Sequence, residues 1–393
     1  MSLRQVHPSH PARLRRTRAW AVAAAAASAL AALGACGGSR PATLPGPMID
    51  STLLALPRAE MPRTWNELDS VTAYVPMLIA TTRRGIDAER PGWRYGTRDA
   101  NELSFGLAQV SVPSYRARQQ GELPIAGNEA SPDPNRYAFI TSLLPADSVR
   151  FVQRLADDLG HTRSRDVLVF IHGYNSSFEE AAVRAAQVVA DMGFDGSVVL
   201  LSWPSAGELT GYVRDQQTAR NTGYFLLHLL RDLIPQAHPD RIHVLAHSMG
   251  SEVLSKAVSL IDRADTLPRL EQVVFAAPDV DARVFAREIL PTFRAHAAGV
   301  TLYASSEDDA LRASRALNGV WRLGLGGDSL TVLDGMTTVD ATRVRGDLLG
   351  HTLFGNPALL SDLHALLSDG RSPEERRLLR VSRPDGLVFW RFR

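Results

Sequence analysis

Continuous apolar runs of strand length recur along the second half of the chain. They are rich in β-branched residues and lack polar alternation, which is typical of strands buried on both faces of a parallel sheet. Stretches of helical periodicity separate them, near 178–192, 217–233, 249–262 and 280–290. This alternation predicts an α/β fold with a doubly wound, mostly parallel sheet flanked by helices. The predicted strands are 167–171, 198–202, 242–246, 273–277, 300–304 and a weaker 337–342.

The chain before these runs is patterned differently. Residues 75–80 and 103–112 are predicted to be two strands with hairpin-like spacing, interrupted by the polar, glycine-containing stretch 82–101. Residues 114–136 contain several Pro, Gly and Asn, which is typical of a long loop. The globular part is therefore expected to begin near residue 71.

The first 35 residues have the pattern of an export signal. Residues 1–18 contain five arginines and no acid, and residues 19–35 form an uncharged run dominated by alanine. The sequence Leu33-Gly34-Ala35-Cys36 resembles a bacterial lipobox, in which the signal is cut before a cysteine that carries diacylglycerol. An uncleaved N-terminal anchor is the alternative. A twin-arginine signal at 15–16 is a weaker option, because the flanking residues match poorly.

These features predict a location in the cell envelope. By resemblance to lipoprotein sorting, Gly37 in place of an aspartate favours the outer membrane of a Gram-negative cell, with the protein facing the periplasm. The expected organisation is a signal peptide at 1–35, a flexible tether at 36–70, a hydrolase domain at 71–370 and a C-terminal extension at 371–393. Cys36, the only cysteine, cannot form an intrachain disulfide and is the predicted lipidation site.

Charge and composition exclude some classes of protein. The 393 residues contain 43 Lys+Arg and 42 Asp+Glu, with 45% hydrophobic residues. This balance excludes a disordered polyelectrolyte and argues against a nucleic-acid binder that works through bulk positive charge. Removing the five arginines of the leader leaves 38 cationic against 42 acidic residues, so the mature chain is mildly acidic.

A nucleophile elbow is predicted around Ser248. The apolar run 242–246 leads into His247, Ser248, Met249 and Gly250, after which a helix begins. A serine at the apex of a sharp strand–turn–helix is exposed to attack a substrate, and small residues two positions away avoid collisions in the turn. The alternative is an ordinary turn with a serine at the helix N-cap.

A second segment, after the strand at 167–171, is predicted to bind an oxyanion. The loop that begins at His172 is positioned to aim backbone N–H groups at the elbow, and acyl transfer requires such donors. We expect the donors to be the amides of Met249 and Tyr174. His172 is expected to brace the loop, because a base in this fold follows the serine along the chain.

The serine also requires a base and an orienting acid. His351 and His364 are the two histidines beyond residue 300. His351 lies in a Gly-flanked loop after the last predicted strand of the run and is the predicted base, whereas His364 lies within a helical stretch. The predicted acid is Asp308, which follows the strand at 300–304. The alternatives for the acid are Asp279, Asp309 and Glu307.

With these segments the chain resembles the DUF900 family of α/β-hydrolases, within the esterase/lipase superfamily. The resemblance spans about residues 72–368 and implies an α/β-hydrolase fold with Asp308 as the acid, but it implies no particular substrate. The segments that carry it are FIHGYN (170–175), SWPS (202–205), AHSMG (246–250), AAPD (276–279), LYASSED (302–308) and LGH (349–351).

The leading hypothesis is a membrane-anchored serine hydrolase that cleaves small- or medium-chain carboxylic esters and needs no cofactor or metal. An acyltransferase or amidase that uses the same triad is the second hypothesis, and a non-catalytic envelope scaffold is the third. Four residues after the strand at 198–202 are candidates to line the pocket mouth. Core packing is favoured for Trp203, a solvated surface for Arg214 and Asp215, and Tyr212 is left open.

Overall fold

A central sheet organises the part of the chain that the computed structural model describes, residues 71–127, 129–206, 211–261, 267–344, 351 and 353–393. Within these ranges the sheet has eleven strands, in the order β10-β11-β9-β8-β7-β6-β4-β5-β1-β2-β3. The strands are β1 (Ala73–Gly85), β2 (Tyr95–Val112), β3 (Phe139–Ala146), β4 (Asp166–Ile171), β5 (Ser197–Ser202), β6 (Arg241–His247), β7 (Leu270–Ala276), β8 (Ala297–Ala304), β9 (Thr337–Asp340), β10 (Leu379–Ser382) and β11 (Val388–Arg391).

Helices connect most of the parallel strands. One connection combines a turn at Ala282–Val284, a π-helical turn at Phe285–Ile289 and the helix α5, and the C-terminal end of α3 also continues into a π-helical turn, Leu229–Leu233. The helices are α1 (Ser148–Leu159), α2 (Phe178–Met192), α3 (Tyr212–His228), α4 (Gly250–Ser259), α5 (Leu290–His296), α6 (Asp309–Asn318) and α7 (Pro357–Leu367).

The centre of the sheet is parallel and its edges are antiparallel. The ladders from β1 through β5, β4, β6, β7 and β8 to β9 are all parallel, and so is the ladder of β11 with β9. Antiparallel pairing joins β1 to β2, β2 to β3 and β10 to β11. This confirms the predicted α/β fold with a mostly parallel, doubly wound sheet.

Both faces of the sheet are covered, as the apolar runs predicted. In β4, Leu168 and Phe170 pack into one hydrophobic cluster, which includes the apolar faces of α2 and α7. Val167, Val169 and Ile171 pack into the other, with side chains of α1, α3 and α4. Because successive strand residues point to opposite faces, a strand buried on both sides carries no polar alternation.

The edges of the sheet differ from the expectations. β1 and β2 extend into the polar stretch 82–101 as a long two-stranded ribbon, and β3 and α1 were not predicted. The sheet also continues past residue 370, the expected end of the domain, because residues 379–382 and 388–391 form β10 and β11. The described residues of 114–136 contain no helix or strand, as expected. The predicted signal peptide, the tether and Cys36 lie outside the described residues.

Candidate active site

Ser248 occupies a strained turn between β6 and α4. Its φ of 51° lies in the left-handed region, which a residue with a Cβ seldom adopts. The turn is held on both sides, since Ser248 N donates to Ala276 O at 3.0 Å and Ser248 O accepts from Asp279 N at 3.1 Å. Such strain persists only where surrounding contacts fix the backbone, as at a nucleophile elbow.

Glycines on either side allow the chain to approach this turn closely. A Cβ on Gly250 would lie 2.5 Å from His172 O, and a Cβ on Gly173 would lie 2.8 Å from the Cβ of Ser248. At the other flank of the turn, Ala246 is accommodated in the core with no exposed surface. The close packing therefore requires glycine at 250 but admits one methyl group at 246.

Ser248, His351 and Asp308 form a continuous chain of polar contacts. The Nε2 atom of His351 lies 2.7 Å from Ser248 Oγ, and its Nδ1 lies 2.7 Å from Asp308 Oδ2. The second oxygen of Asp308 accepts from Leu311 N at 2.8 Å and caps α6. The side chain of Asp308 is completely buried and that of His351 is 16% exposed, so solvent reaches the imidazole but not the acid.

Asp279, the main alternative acid, is paired with other groups. Its Oδ1 accepts from Arg322 Nε and Ser314 Oγ, both at 2.6 Å, and its Oδ2 accepts from the Tyr212 hydroxyl at 2.8 Å. Burial and the nearby charge of Asp279 raise the pKa of Tyr212, so its hydroxyl remains a donor. Asp279 is thus a fixed counter-ion of Arg322. It lies next to the elbow, because its backbone N–H donates to Ser248 O.

The remaining candidates lie in other surroundings. Asp309 forms an exposed pair with Arg312 at 2.6 Å. The Nδ1 atom of His364 lies 2.7 Å from Met192 O, where it links α7 to the end of α2. The structure therefore brings Asp308 and His351 to Ser248, and it places Asp309 and His364 in local contacts elsewhere.

His172 lies beneath the loop that follows β4. Its Nδ1 donates to Gly173 O at 2.8 Å, and its ring stacks on Trp203 with centroids 5.0 Å apart. Burial, and secondarily the charge of Arg83, lower the pKa of His172 to about 3, so the imidazole is neutral. It has the geometry of a brace for this loop.

The two predicted oxyanion donors lie close to the turn. Met249 is buried at the N-cap of α4, directly after Ser248. Tyr174 follows Gly173, and in a trans peptide the Tyr174 N–H points opposite to the Gly173 carbonyl, which His172 holds. The Tyr174 N–H is therefore directed away from His172, in the loop that touches Ser248.

The four candidate residues for the pocket mouth have different environments. Trp203 is completely buried and donates its Nε1–H to His172 O at 2.8 Å, so it packs in the core. Tyr212 contacts the Tyr174 ring edge-on at 5.5 Å. Arg214 is exposed, as expected. For Asp215 the expectation of a solvated surface was wrong, because it is fully buried and accepts from Ser205 Oγ at 2.7 Å.

Arg83 is the main residue near the site that the sequence did not reveal. It lies near the end of β1, is completely buried, and reaches the loops after β4 and β5. The available signal was an arginine near the end of a strand, after the apolar positions 75–80 and two threonines. That position is normally read as the polar end of the strand, so burial could not be inferred from it.

The described ranges contain neither a metal-binding cluster nor a membrane-spanning helix. In that part of the chain, no group of three or more His, Cys, Asp or Glu side chains is arranged to hold a metal ion. Nor does any helix there combine the length and apolar character needed to cross a bilayer.

Comparison with known proteins matches the sequence of this chain to a family of hydrolases. A family model described as "Alpha/beta hydrolase of unknown function (DUF900)" matches residues 148–369. A crystal structure described provisionally as a cell surface hydrolase, from Lactobacillus plantarum WCFS1, is 12% identical with a TM-score of 0.34. That alignment covers 55% of this chain and 96% of the other. No curated protein matches the sequence.

Proposed function

This chain belongs to the DUF900 family of α/β-hydrolases, and we propose that it is a serine hydrolase that cleaves carboxylic esters. The observation that carries the proposal is the Ser248–His351–Asp308 chain, with both polar contacts at 2.7 Å. A serine hydroxyl is a weak nucleophile at neutral pH and needs an adjacent base that a third group orients. The order Ser, Asp, His along the chain is that of α/β-hydrolases.

We propose a role for each group on the basis of these contacts. The Ser248 Oγ attacks the ester carbonyl while His351 Nε2 takes its proton, and Asp308 stabilises the imidazolium through Nδ1–H. His351 then gives that proton to the departing alcohol, which leaves an acyl group on Ser248. A water molecule, deprotonated by His351, attacks the acyl carbonyl; the acid is released and Ser248 recovers its proton.

The negative oxygen of each tetrahedral intermediate needs fixed donors. We assign this role to the backbone N–H groups of Met249 and Tyr174. The first begins a helix, where N–H groups lack partners within the helix. The second is turned away from the buried His172 by the hydrogen bond of that residue to Gly173 O. Preorganised donors of this kind each contribute about 10²–10³-fold to kcat.

A fluorophosphonate probe tests the nucleophile. We expect the wild-type protein to be labelled and Ser248→Ala to remain unlabelled. Ser251→Ala is the matched control, because Ser251 is a buried serine of α4 one turn beyond the elbow. Equal labelling of wild type and Ser248→Ala, or no labelling of the wild type, would contradict the proposal.

A panel of p-nitrophenyl esters with graded acyl chains tests the substrate class. We expect turnover of small- and medium-chain esters, with loss of activity in Ser248→Ala. The same reactions with added alcohols separate hydrolysis from transfer. Formation of new esters from those alcohols would assign acyl transfer instead.

We also propose that Cys36 carries a lipid anchor at the outer membrane, facing the periplasm. The support is the lipobox-like sequence 33–36 after an uncharged run and a basic leader. Cys36→Ser is expected to accumulate as uncleaved precursor or to leave the membrane fraction. A mature, membrane-bound Cys36→Ser protein would count against lipidation.

A further inference from the structure

Arg83 is a buried cation that joins two loops beside the proposed site. Its side chain has no exposed surface. Its Nη2 donates to Ser176 O at 2.7 Å, its Nη1 to Ser205 O at 3.3 Å, and its Nε to Ser202 Oγ at 2.9 Å. The guanidinium therefore links the loop after β4, which contains Tyr174, to the loop after β5.

In the described part of the chain, the acidic groups that act on Arg83 lie at longer range. Among the described residues, no carboxylate lies within the 4.0 Å ion-pair distance of its guanidinium. Asp215 and Glu180 act on it at longer range, and burial lowers the pKa of Arg83 to about 9. Burial of an arginine costs free energy, and the hydrogen bonds to Ser176 O, Ser205 O and Ser202 Oγ offset part of that cost.

His172 is the polar group that this charge affects most directly. Its Nε2 lies 3.5 Å from Arg83 Nη2 and 3.1 Å from both the amide nitrogen and the carbonyl oxygen of Trp203. With Gly173 O at Nδ1, a doubly protonated imidazole would find an acceptor at each nitrogen. The cation opposes that state and favours the neutral ring, in which Nε2 accepts a hydrogen bond.

We propose that Arg83 is a positioning residue for oxyanion binding: it fixes the imidazole of His172 and the carbonyl of Ser176, and so orients the Gly173–Tyr174 peptide. This rests on the proposed hydrolase function. Ser176 is held at both ends, because its N–H also donates to Ser205 Oγ at 3.3 Å. Arg83 lies outside residues 148–369, so the N-terminal strand supplies a part that the matched region lacks.

The expected kinetic consequence is selective. A peptide N–H that is misaligned by a few tenths of an ångström loses more interaction with an oxyanion than with a neutral carbonyl. Arg83→Met is therefore expected to lower kcat for ester hydrolysis about 10²-fold, with KM changed by less than about threefold. Arg83→Lys keeps the charge and should recover part of kcat.

Arg118→Met is the matched control. Arg118 is also buried and also fixes a loop, in this case the one after β2, through Pro113 O at 2.8 Å and Asp191, and it has no contact with the loops after β4 and β5 among its hydrogen bonds in the described residues. We expect this variant to lower Tm without lowering kcat. If Arg83→Met loses activity only in proportion to its unfolded fraction, or keeps wild-type kcat, the positioning role is wrong.

Side-chain ¹⁵N NMR of His172 gives a readout that needs no turnover. Among the described residues, the charged or titratable groups that act on its ring are Arg83 from β1 and His247 from β6. In the wild type, Nδ1 should be protonated and Nε2 unprotonated across neutral pH. In Arg83→Met, Nε2 should gain a proton at higher pH than in wild type; no change would overturn the proposal. If the wild type did not hydrolyse esters, the proposed function would be wrong, but the NMR result for His172 would still test the role of Arg83.

Discussion

Two buried aspartates follow neighbouring strands of the sheet, but the side chains that contact them are different. Asp279 comes after β7 and is held by Arg322, Ser314 and Tyr212. Asp308 comes after β8, caps α6 with one oxygen and presents the other to His351. The first carboxylate is neutralised by a fixed cation, whereas the second faces a ring that can gain and lose a proton.

Two histidines show the same contrast. His351 contacts Ser248 and Asp308 and is partly exposed to solvent. His172 is enclosed by Trp203 and Arg83 and is kept neutral. Parallel strands deliver many polar side chains to one edge of the sheet. Which of them can exchange protons with a substrate is decided by the neighbours on adjacent loops, not by the strand position.

The largest expected effect separates the two aspartates by activity. Asp308→Asn should lower kcat/KM for ester hydrolysis about 10³–10⁴-fold, because the amide no longer stabilises the imidazolium of His351. Asp279→Asn should keep kcat/KM within about tenfold of wild type per folded molecule. Steady-state kinetics on one ester, with active protein quantified by circular dichroism, measures both; comparable losses in the two variants would remove the distinction.

The next effect separates them by stability. Asp279→Asn leaves the buried Arg322 with Glu252 at 3.7 Å as its nearest remaining carboxylate among the described residues. The free energy of unfolding should fall by about 3 kcal/mol, as expected when one partner of a buried pair is removed. Urea denaturation measures it. In the Asp279→Asn, Arg322→Met double variant, part of that loss should be recovered; a further additive loss would show that the pair is not coupled.

The smallest effect concerns the pH dependence of the stability that His172 contributes. The folded-state pKa of His172 is about 3, below the ordinary 6.5, so the unfolded chain binds an additional proton between these values. The stability that neutral His172 contributes is therefore complete above about pH 6.5 and is lost as pH falls, by up to about 1.4 kcal/mol per pH unit. Denaturation of wild type and His172→Gln at several pH values isolates this slope; parallel curves would exclude it.

The central part of the fold was predictable because each of its strands and helices is indicated by the residues of one short segment. The buried runs of β4 to β8 carry no polar alternation, and the helix at Phe178–Met192 begins with a capping box of Ser177 and Glu180. The edges were harder to predict. The polar stretch 82–101 gave no strand signal, because the ribbon it forms is partly exposed on its outer end.

The candidate site was predictable where one chain segment carries the information. Ser248 and His351 follow from turn patterns, and Asp308 from its position after β8. The burial of Arg83 and of Asp215 could not be predicted from the sequence. Their surroundings come from segments about 90 and 10 residues away along the chain, respectively. A charged residue at a strand end or helix start has the same local pattern whether it is solvated or enclosed.

Trapping of the acyl-enzyme tests the nucleophilic role of Ser248 most directly. Wild-type protein mixed with p-nitrophenyl acetate, quenched in acid and digested, should yield one peptide heavier by an acetyl group, with the modification on Ser248. In Asp308→Asn the same peptide should form far more slowly, and in Asp279→Asn at a rate near that of wild type. Acetylation elsewhere with Ser248 unmodified, during turnover that Ser248→Ala retains, would contradict the assignment.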